Sequence, residues 1–275
     1  MFGDEGSSTI STVVLRYLGP LNPAGVAKNF TILAHHGFQT SDNMPASENS
    51  VELIRILERY GATGIEVDVR LSKDRIPYLY HDEQLNPRLV QRTPLIGASE
   101  DYTMEALKAF IRLIHGEQIP TVREALEAVL NDTKLNYVWL DLKTTDVQII
   151  KEIVPIQRDI LNRAAGMGRN LQVVIGLPTE EHIAEFMEIA GHDTIPSLCE
   201  LEIDDVRKTN SRVWGPRWTR GLLLPEVDQM HAEGRKVFSW TVSVPGFIES
   251  YLRDGRFDGL ISDYPSLVNW YLYAN

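Results

Sequence analysis

The feature that most restricts the fold of this chain is an alternation. Short apolar, β-branched runs are separated by amphipathic stretches of helical period almost to the end. Strands are expected over "FTILAHH" (30–36), "GIEVDV" (64–69), "IPYLY" (76–80), "YVWLDL" (137–142), "LQVVIGL" (171–177), "TIPSL" (194–198), "RVWG" (212–215), "KVFSWTV" (236–242) and "GLIS" (259–262). Helices are expected over 48–60, 103–114, 121–131, 145–165, 179–190, 225–234 and 245–254. Strands alternating with helices imply a parallel sheet, because parallel neighbours need a long crossover and a helix fills it. About eight such units suit an α/β fold of the distorted (β/α)8 TIM-barrel kind. A doubly wound open sheet is the alternative, and no Gly-rich phosphate loop follows the first strand to support it.

One unit breaks the pattern. Only "RLSKDR" (70–75) separates the second run from the third, too short for a crossover helix. A hairpin-like return is expected there, bringing His81 opposite or near Glu66. Residues 83–118 then form a long loop-and-helix excursion, expected at the barrel mouth. With no repeat, linker or low-complexity tract, residues 1–275 read as one domain.

Composition removes several function classes. A net charge of −11 offers no basic stripe for nucleic acid or for an anionic membrane surface. A small phosphate-bearing substrate stays open, because local charge can oppose the global sign. The lone Cys199 excludes an intrachain disulfide framework and reads as a buried, inert thiol. No apolar run approaches a membrane span, and the first residues show no basic start followed by an apolar stretch. A cytoplasmic location is therefore expected, although a secreted chain trimmed of its leader would read the same.

The strand ends carry an unusual polar load: His35 and His36, Glu66 and Asp68, His81 and Asp82, Asp141 and Lys143, Trp240, Asp263. In a barrel these ends converge on the mouth where chemistry is done. Glu66 and Asp68 are two apart on a strand and so share a face. If that face is interior, Glu66, Asp68 and Asp141 crowd together, and one hard divalent cation, Mg2+ or Ca2+, is the simplest way to neutralise them. His35 and His81 arrive beside it from different strands as a general acid–base pair, with Lys143 as a cation. That kit suits metal-assisted attack on a phosphodiester.

In order along the chain, "AHHG" (34–37), "ASENS" (46–50), "GIEVDVRLSKDR" (64–75), "YHD" (80–82), "IPTVREAL" (119–126), "LDLK" (140–143), "SWTV" (239–242) and "LISDYP" (260–265) resemble the motifs of the glycerophosphodiester phosphodiesterase family. The resemblance implies hydrolysis of glycerophosphodiesters to glycerol 3-phosphate and an alcohol. It implies Glu66, Asp68 and Asp141 as metal ligands and His35 and His81 as the acid–base pair. Lys143 would contact phosphate, and Trp240 would form part of the apolar wall. The substrate's neighbouring hydroxyl would be the nucleophile, passing through a cyclic phosphate that water opens.

Two positions depart from the family pattern. His36 stands where the family has arginine, a substrate-binding position at which imidazole offers little charge near neutral pH; Arg70 or Arg88 is expected to supply part of it. Asp141 stands for glutamate, one methylene shorter. Blander readings run alongside: Lys143 as a plain ion-pair partner, Trp240 as core, Asp263 as a hydrogen-bonding residue closing the last turn. Glu48 or Asn49 would cap the helix that follows them. His115, His182, His192 and His231 read as surface. Two further functions compete, a lysophospholipid substrate and a catalytically weakened phosphodiester-binding barrel. The sequence leaves the oligomeric state open.

Overall fold

The computed structural model describes residues 30–37 and 44–273, so the expectations for the first residues lie outside them. Among the described residues nine strands form: β1 (Thr31–Ala34), β2 (Gly64–Leu71), β3 (Pro77–Leu79), β4 (Tyr137–Leu142), β5 (Gln172–Leu177), β6 (Ser197–Cys199), β7 (Val213–Trp214), β8 (Lys236–Ser239) and β9 (Gly259–Ser262). Eight of them run parallel in the order β1-β9-β8-β7-β6-β5-β4-β2, and β2 pairs back to β1 and closes the ring. The short β3 lies outside it, antiparallel to the far end of β2 with Leu79 opposite Val69. The fold is thus the expected closed barrel, with one unit replaced by a hairpin.

The helices are α1 (Val51–Ile54), α2 (Met104–Phe110), α3 (Val122–Asp132), α4 (Ile149–Gly166), α5 (Glu180–Met187), α6 (Ile203–Lys208), α7 (Leu224–Ala232), α8 (Pro245–Asp254) and α9 (Pro265–Tyr273). Side-chain parity explains the two apolar layers. Outward residues such as Ile65, Val67, Val138, Leu140 and Ile175 pack with the helices. Leu33, Tyr137, Trp139, Val174, Leu198, Val213, Phe238 and Ile261 fill the barrel interior. Alternate residues of each strand therefore serve different layers. None of the described helices is long and apolar enough to cross a membrane.

Several boundaries differ from expectation, each for a local reason. The stretch 48–60 is one α-turn and a 3-10 turn (57–60), ended by Gly61 at φ +79 before the chain enters β2. Ser50 caps α1 by accepting from the Leu53 N–H at 3.0 Å, so neither Glu48 nor Asn49 does. In β1 the extended chain stops at Ala34, because His36 and Gly37 take φ of +36 and +98. A Cβ on Gly37 would lie 2.3 Å from Leu53 Cδ2. Gly37→Ala is accordingly expected to cost about 1–3 kcal/mol through left-handed strain and the clash together, read as a lower denaturation midpoint; an unchanged midpoint would refute this.

The excursion after β3 has a core of its own, in which Leu89, Val90, Met104, Leu107, Ile111 and Leu113 pack with Tyr78 and Tyr80. It is tied to the strand ends. Ser47 donates through its N–H (3.0 Å) and its hydroxyl (2.7 Å) to Glu117, and Arg70 pairs with Glu100 at 3.1 Å.

Candidate active site

Parity continues past the last interior layer and delivers polar residues to the mouth. Following the inward residues Leu33, Trp139, Leu198, Phe238 and Ile261, the next inward positions are His35, Asp141, Glu200, Trp240 and Asp263. Asp68 stands level with Asp141 on the neighbouring strand, and Glu66 level with Trp139. The face shared by Glu66 and Asp68 is therefore interior, and both side chains are buried.

Oxygen atoms of Glu66, Asp68 and Asp141 lie within 4.8 Å of one another. Lys143 Nζ is 2.5 Å from Asp141 Oδ2 and 3.2 Å from Asp68 Oδ1. Asn49 grips Asp68 twice, donating Nδ2–H to Oδ2 at 2.7 Å and accepting the Asp68 N–H at 3.0 Å. The His36 N–H donates to Glu66 Oε2 at 2.8 Å. Both Glu66 Oε1 and Asp68 Oδ1 are sealed from solvent; no donor reaches Glu66 Oε1, and Asp68 Oδ1 has only the Lys143 ammonium, as an ion pair. Burial, then Asp68 and Asp141, pushes the Glu66 carboxyl well above the usual range. Burial works against the charge on Asp68 too, but Lys143, His36, His81 and the Asn49 hydrogen bond together outweigh it and hold the carboxyl low. One ammonium does not balance three carboxylates. Their clustered oxygens, all hard ligands and one of them with no donor, fit a divalent cation.

Each of the two half-exposed histidines is backed by a carboxylate. His35 Nδ1 is 2.7 Å from Asp263 Oδ1, and the other Asp263 oxygen accepts from the Ser243 hydroxyl at 2.7 Å. His81 Nδ1 is 2.6 Å from Asp82 Oδ1, and Arg88 (2.7 Å) and Asn86 (2.5 Å) hold Asp82 in turn. A carboxylate at Nδ1 leaves Nε2 as the working nitrogen of each ring. Asp263 is thus a hydrogen-bonding residue, as expected, but its partner is His35.

His36 neighbours both, its ring centroid 4.0 Å from that of His35 and 5.8 Å from that of His81. It is buried, and its Nδ1 makes no hydrogen bond. Burial, then His35, lowers its pKa to about 3, so at neutral pH it carries no charge to offer a phosphate. In the unfolded chain the same group titrates near its ordinary 6.5. Stability drawn from keeping it neutral is therefore full above pH 6.5 and is lost as pH falls toward 3, by up to about 1.4 kcal/mol per unit. His36→Asn, a residue tolerant of the positive φ, is expected to flatten that acid limb between pH 6 and 4 in urea titrations; an unaltered slope would refute the assignment.

Arg70 and Arg88 are both engaged. Arg70 donates to the His81 carbonyl oxygen at 2.8 Å and to Glu100, which fixes the loop carrying His81. Arg88 pairs with Asp82 and, at 3.2 Å, with Glu48.

Beside Asp141 and Lys143 opens a cavity of about 490 Å3, walled also by Glu200, Arg217, Trp240 and His182. Trp240 donates its indole N–H to the Gly215 carbonyl at 2.6 Å and meets Trp139 edge-on at 6.1 Å. Contrary to its reading as surface, His182 is buried on α5, because the first turn of that helix faces the mouth. On the other side of Lys143 a shallower depression runs over His81, Asp82 and Asn86. A cavity of about 530 Å3 at the opposite end, among the strand starts Tyr137, Gln172 and Lys236, holds none of the predicted site residues.

A closed parallel barrel with an acidic, cation-ready mouth flanked by carboxylate-backed histidines defines the class of site. Residues 35–267 match the Glycerophosphoryl diester phosphodiesterase family, and the chain belongs to that family. A glycerophosphodiester phosphodiesterase of Caldanaerobacter subterraneus subsp. tengcongensis is 27% identical over 251 residues, 86% of this chain and 96% of the relative. Among solved structures, a glycerophosphodiester phosphodiesterase of Parabacteroides distasonis superposes with a TM-score of 0.71 at 19% identity, covering 90% of this chain and 98% of the other. A phosphodiesterase of Oleispira antarctica, solved with the product sn-glycerol-3-phosphate, gives 0.69 at 17% identity, over 88% and 96% of the two chains. These structural likenesses carry the barrel fold.

Proposed function

We propose that the chain hydrolyses glycerophosphodiesters to glycerol 3-phosphate and an alcohol, using one Mg2+ or Ca2+ held by Glu66, Asp68 and Asp141. The observation that carries this reading is the juxtaposition of three clustered carboxylates with two carboxylate-backed histidines at one barrel mouth. When bound, the cation supplies Lewis-acid polarisation of the phosphoryl oxygens.

The protein's own groups do the rest. Lys143 sets an ammonium against a phosphate oxygen. The substrate's C2 hydroxyl attacks phosphorus as one histidine Nε2 takes its proton, and the other histidine protonates the departing alcohol. The P–O bond to the alcohol breaks as the bond to O2 forms, which gives a cyclic phosphate. With the histidine roles exchanged, water opens the ring. Asp263 and Asp82 accept the Nδ1–H of their histidines and fix which nitrogen works. His36 packs against both rings as a neutral neighbour that touches substrate at most through Nε2. Trp240 walls the substrate on its apolar side, and the enzyme works in the cytoplasm on small diesters.

A substrate lacking the C2 hydroxyl, the phosphocholine diester of propane-1,3-diol, tests the route. Turnover is expected to vanish while glycerophosphocholine is consumed. Comparable rates on both would exclude the substrate hydroxyl as nucleophile.

A further inference from the structure

Glu200 lies two residues beyond the inward-facing Leu198 and turns its carboxylate into the mouth. Its Oε1 is closed off from solvent, yet no donor reaches it. Such an acceptor is costly to leave unmatched unless a ligand completes it. Across the same cavity, Arg217 lays its guanidinium over the face of Trp240 at 4.5 Å and makes no ion pair among the described residues. One cavity thus presents an unmatched acceptor, an uncommitted donor and an apolar indole face, all beside Asp141 and Lys143. That combination suits a hydroxyl on a short carbon chain: the Glu200 carboxyl hydrogen-bonds the hydroxyl, the guanidinium donates to its oxygen, and the indole covers the C–H groups.

The following rests on the reading under Proposed function. With the phosphate at Lys143 and the C2 hydroxyl serving as nucleophile, the group of the glycerol arm still unassigned is the C1 hydroxyl. We propose that Glu200 and Arg217 recognise that free C1 hydroxyl and so restrict the enzyme to diesters whose glycerol is unacylated. An acyl ester at C1 removes the hydroxyl this pair holds and sets an acyl chain in its place, which disfavours lysophospholipids.

The test compares kcat/KM on glycerophosphocholine and on its 1-deoxy analogue, the phosphocholine diester of propane-1,2-diol, which keeps the nucleophile. Wild-type protein is expected to lose roughly 10- to 100-fold on the analogue. Glu200→Met and Arg217→Met are expected to lose a similar factor on glycerophosphocholine and to match wild type within about twofold on the analogue. Arg217 sits on an exposed loop, so its variant reads the same contact should Glu200→Met fold poorly. An equal loss on both substrates assigns these residues a structural or phosphate-binding role and overturns the proposal. So does a wild type indifferent to the C1 hydroxyl, or one that cleaves 1-acyl lysophosphatidylcholine as fast as glycerophosphocholine. A wild type silent on every diester with either cation refutes instead the hydrolase reading beneath it.

Discussion

Replacing either His35 or His81 with alanine is expected to lower kcat by roughly two to four orders of magnitude, the range of general acid–base catalysis, with KM little changed. The expectation follows from their symmetry. Each ring has Nδ1 tied to a carboxylate, each is half-exposed at the mouth, and each lies against the buried His36. A reaction that needs one proton taken and one given needs both, so neither variant rescues the other. Asp263→Asn should give a smaller loss, because the ring stays in place while its tautomer is no longer fixed. Steady-state kinetics on glycerophosphocholine checks all three, and wild-type rates in either alanine variant would defeat the mechanism.

Glu66→Gln is expected to abolish turnover while stabilising the metal-free protein by about 1–3 kcal/mol, the scale of removing a buried carboxyl that must be held protonated at neutral pH. The Glu66 carboxyl titrates well above its ordinary value of 4.5, first from burial and then from Asp68 and Asp141. A group whose folded pKa is raised gives its full stabilisation below the unfolded value and loses it as pH rises through the folded one. Metal-free wild type should therefore lose stability above about pH 4.5 through this residue, and the Gln variant should not. The sign is opposite to that of His36, so the two variants change the pH–stability curve in different ways. Cation binding must displace the Glu66 proton, so Mg2+ or Ca2+ should raise the wild-type Tm more at pH 8 than at pH 5.5 and leave Glu66→Gln unmoved. A variant stabilised by the cation as strongly as wild type would show that the cation sits elsewhere.

Much of this was legible in the sequence because period-2 parity is a strong local signal. The spacing of Glu66 and Asp68 puts both on one face, and barrel closure makes that face interior. The short "RLSKDR" link forces the hairpin that delivers His81. The same parity, extended two residues past Leu198 and Ile261, points to Glu200 and Asp263 as mouth residues. Glu200 escapes the sequence reading because the expected strand ends at 198; Asp263 is among the expected mouth residues, but its partner His35, 228 positions away, is not legible locally. Nothing local announces Asn49 as the residue gripping Asp68, or Arg217 as the cap of Trp240, since both arrive on loops whose course is set by tertiary packing. His182 has an ordinary helical sequence context, and only the placement of α5 over the mouth buries it.

The most direct test of the account is release of glycerol 3-phosphate from a mixture of glycerophosphocholine, glycerophosphoethanolamine and glycerophosphoglycerol, run with Mg2+, with Ca2+ and with chelator. The account predicts release with at least one cation and none with chelator, restored when the cation is returned in excess. Undiminished release in chelator would contradict the carboxylate site, and silence under all three conditions would contradict the hydrolase itself.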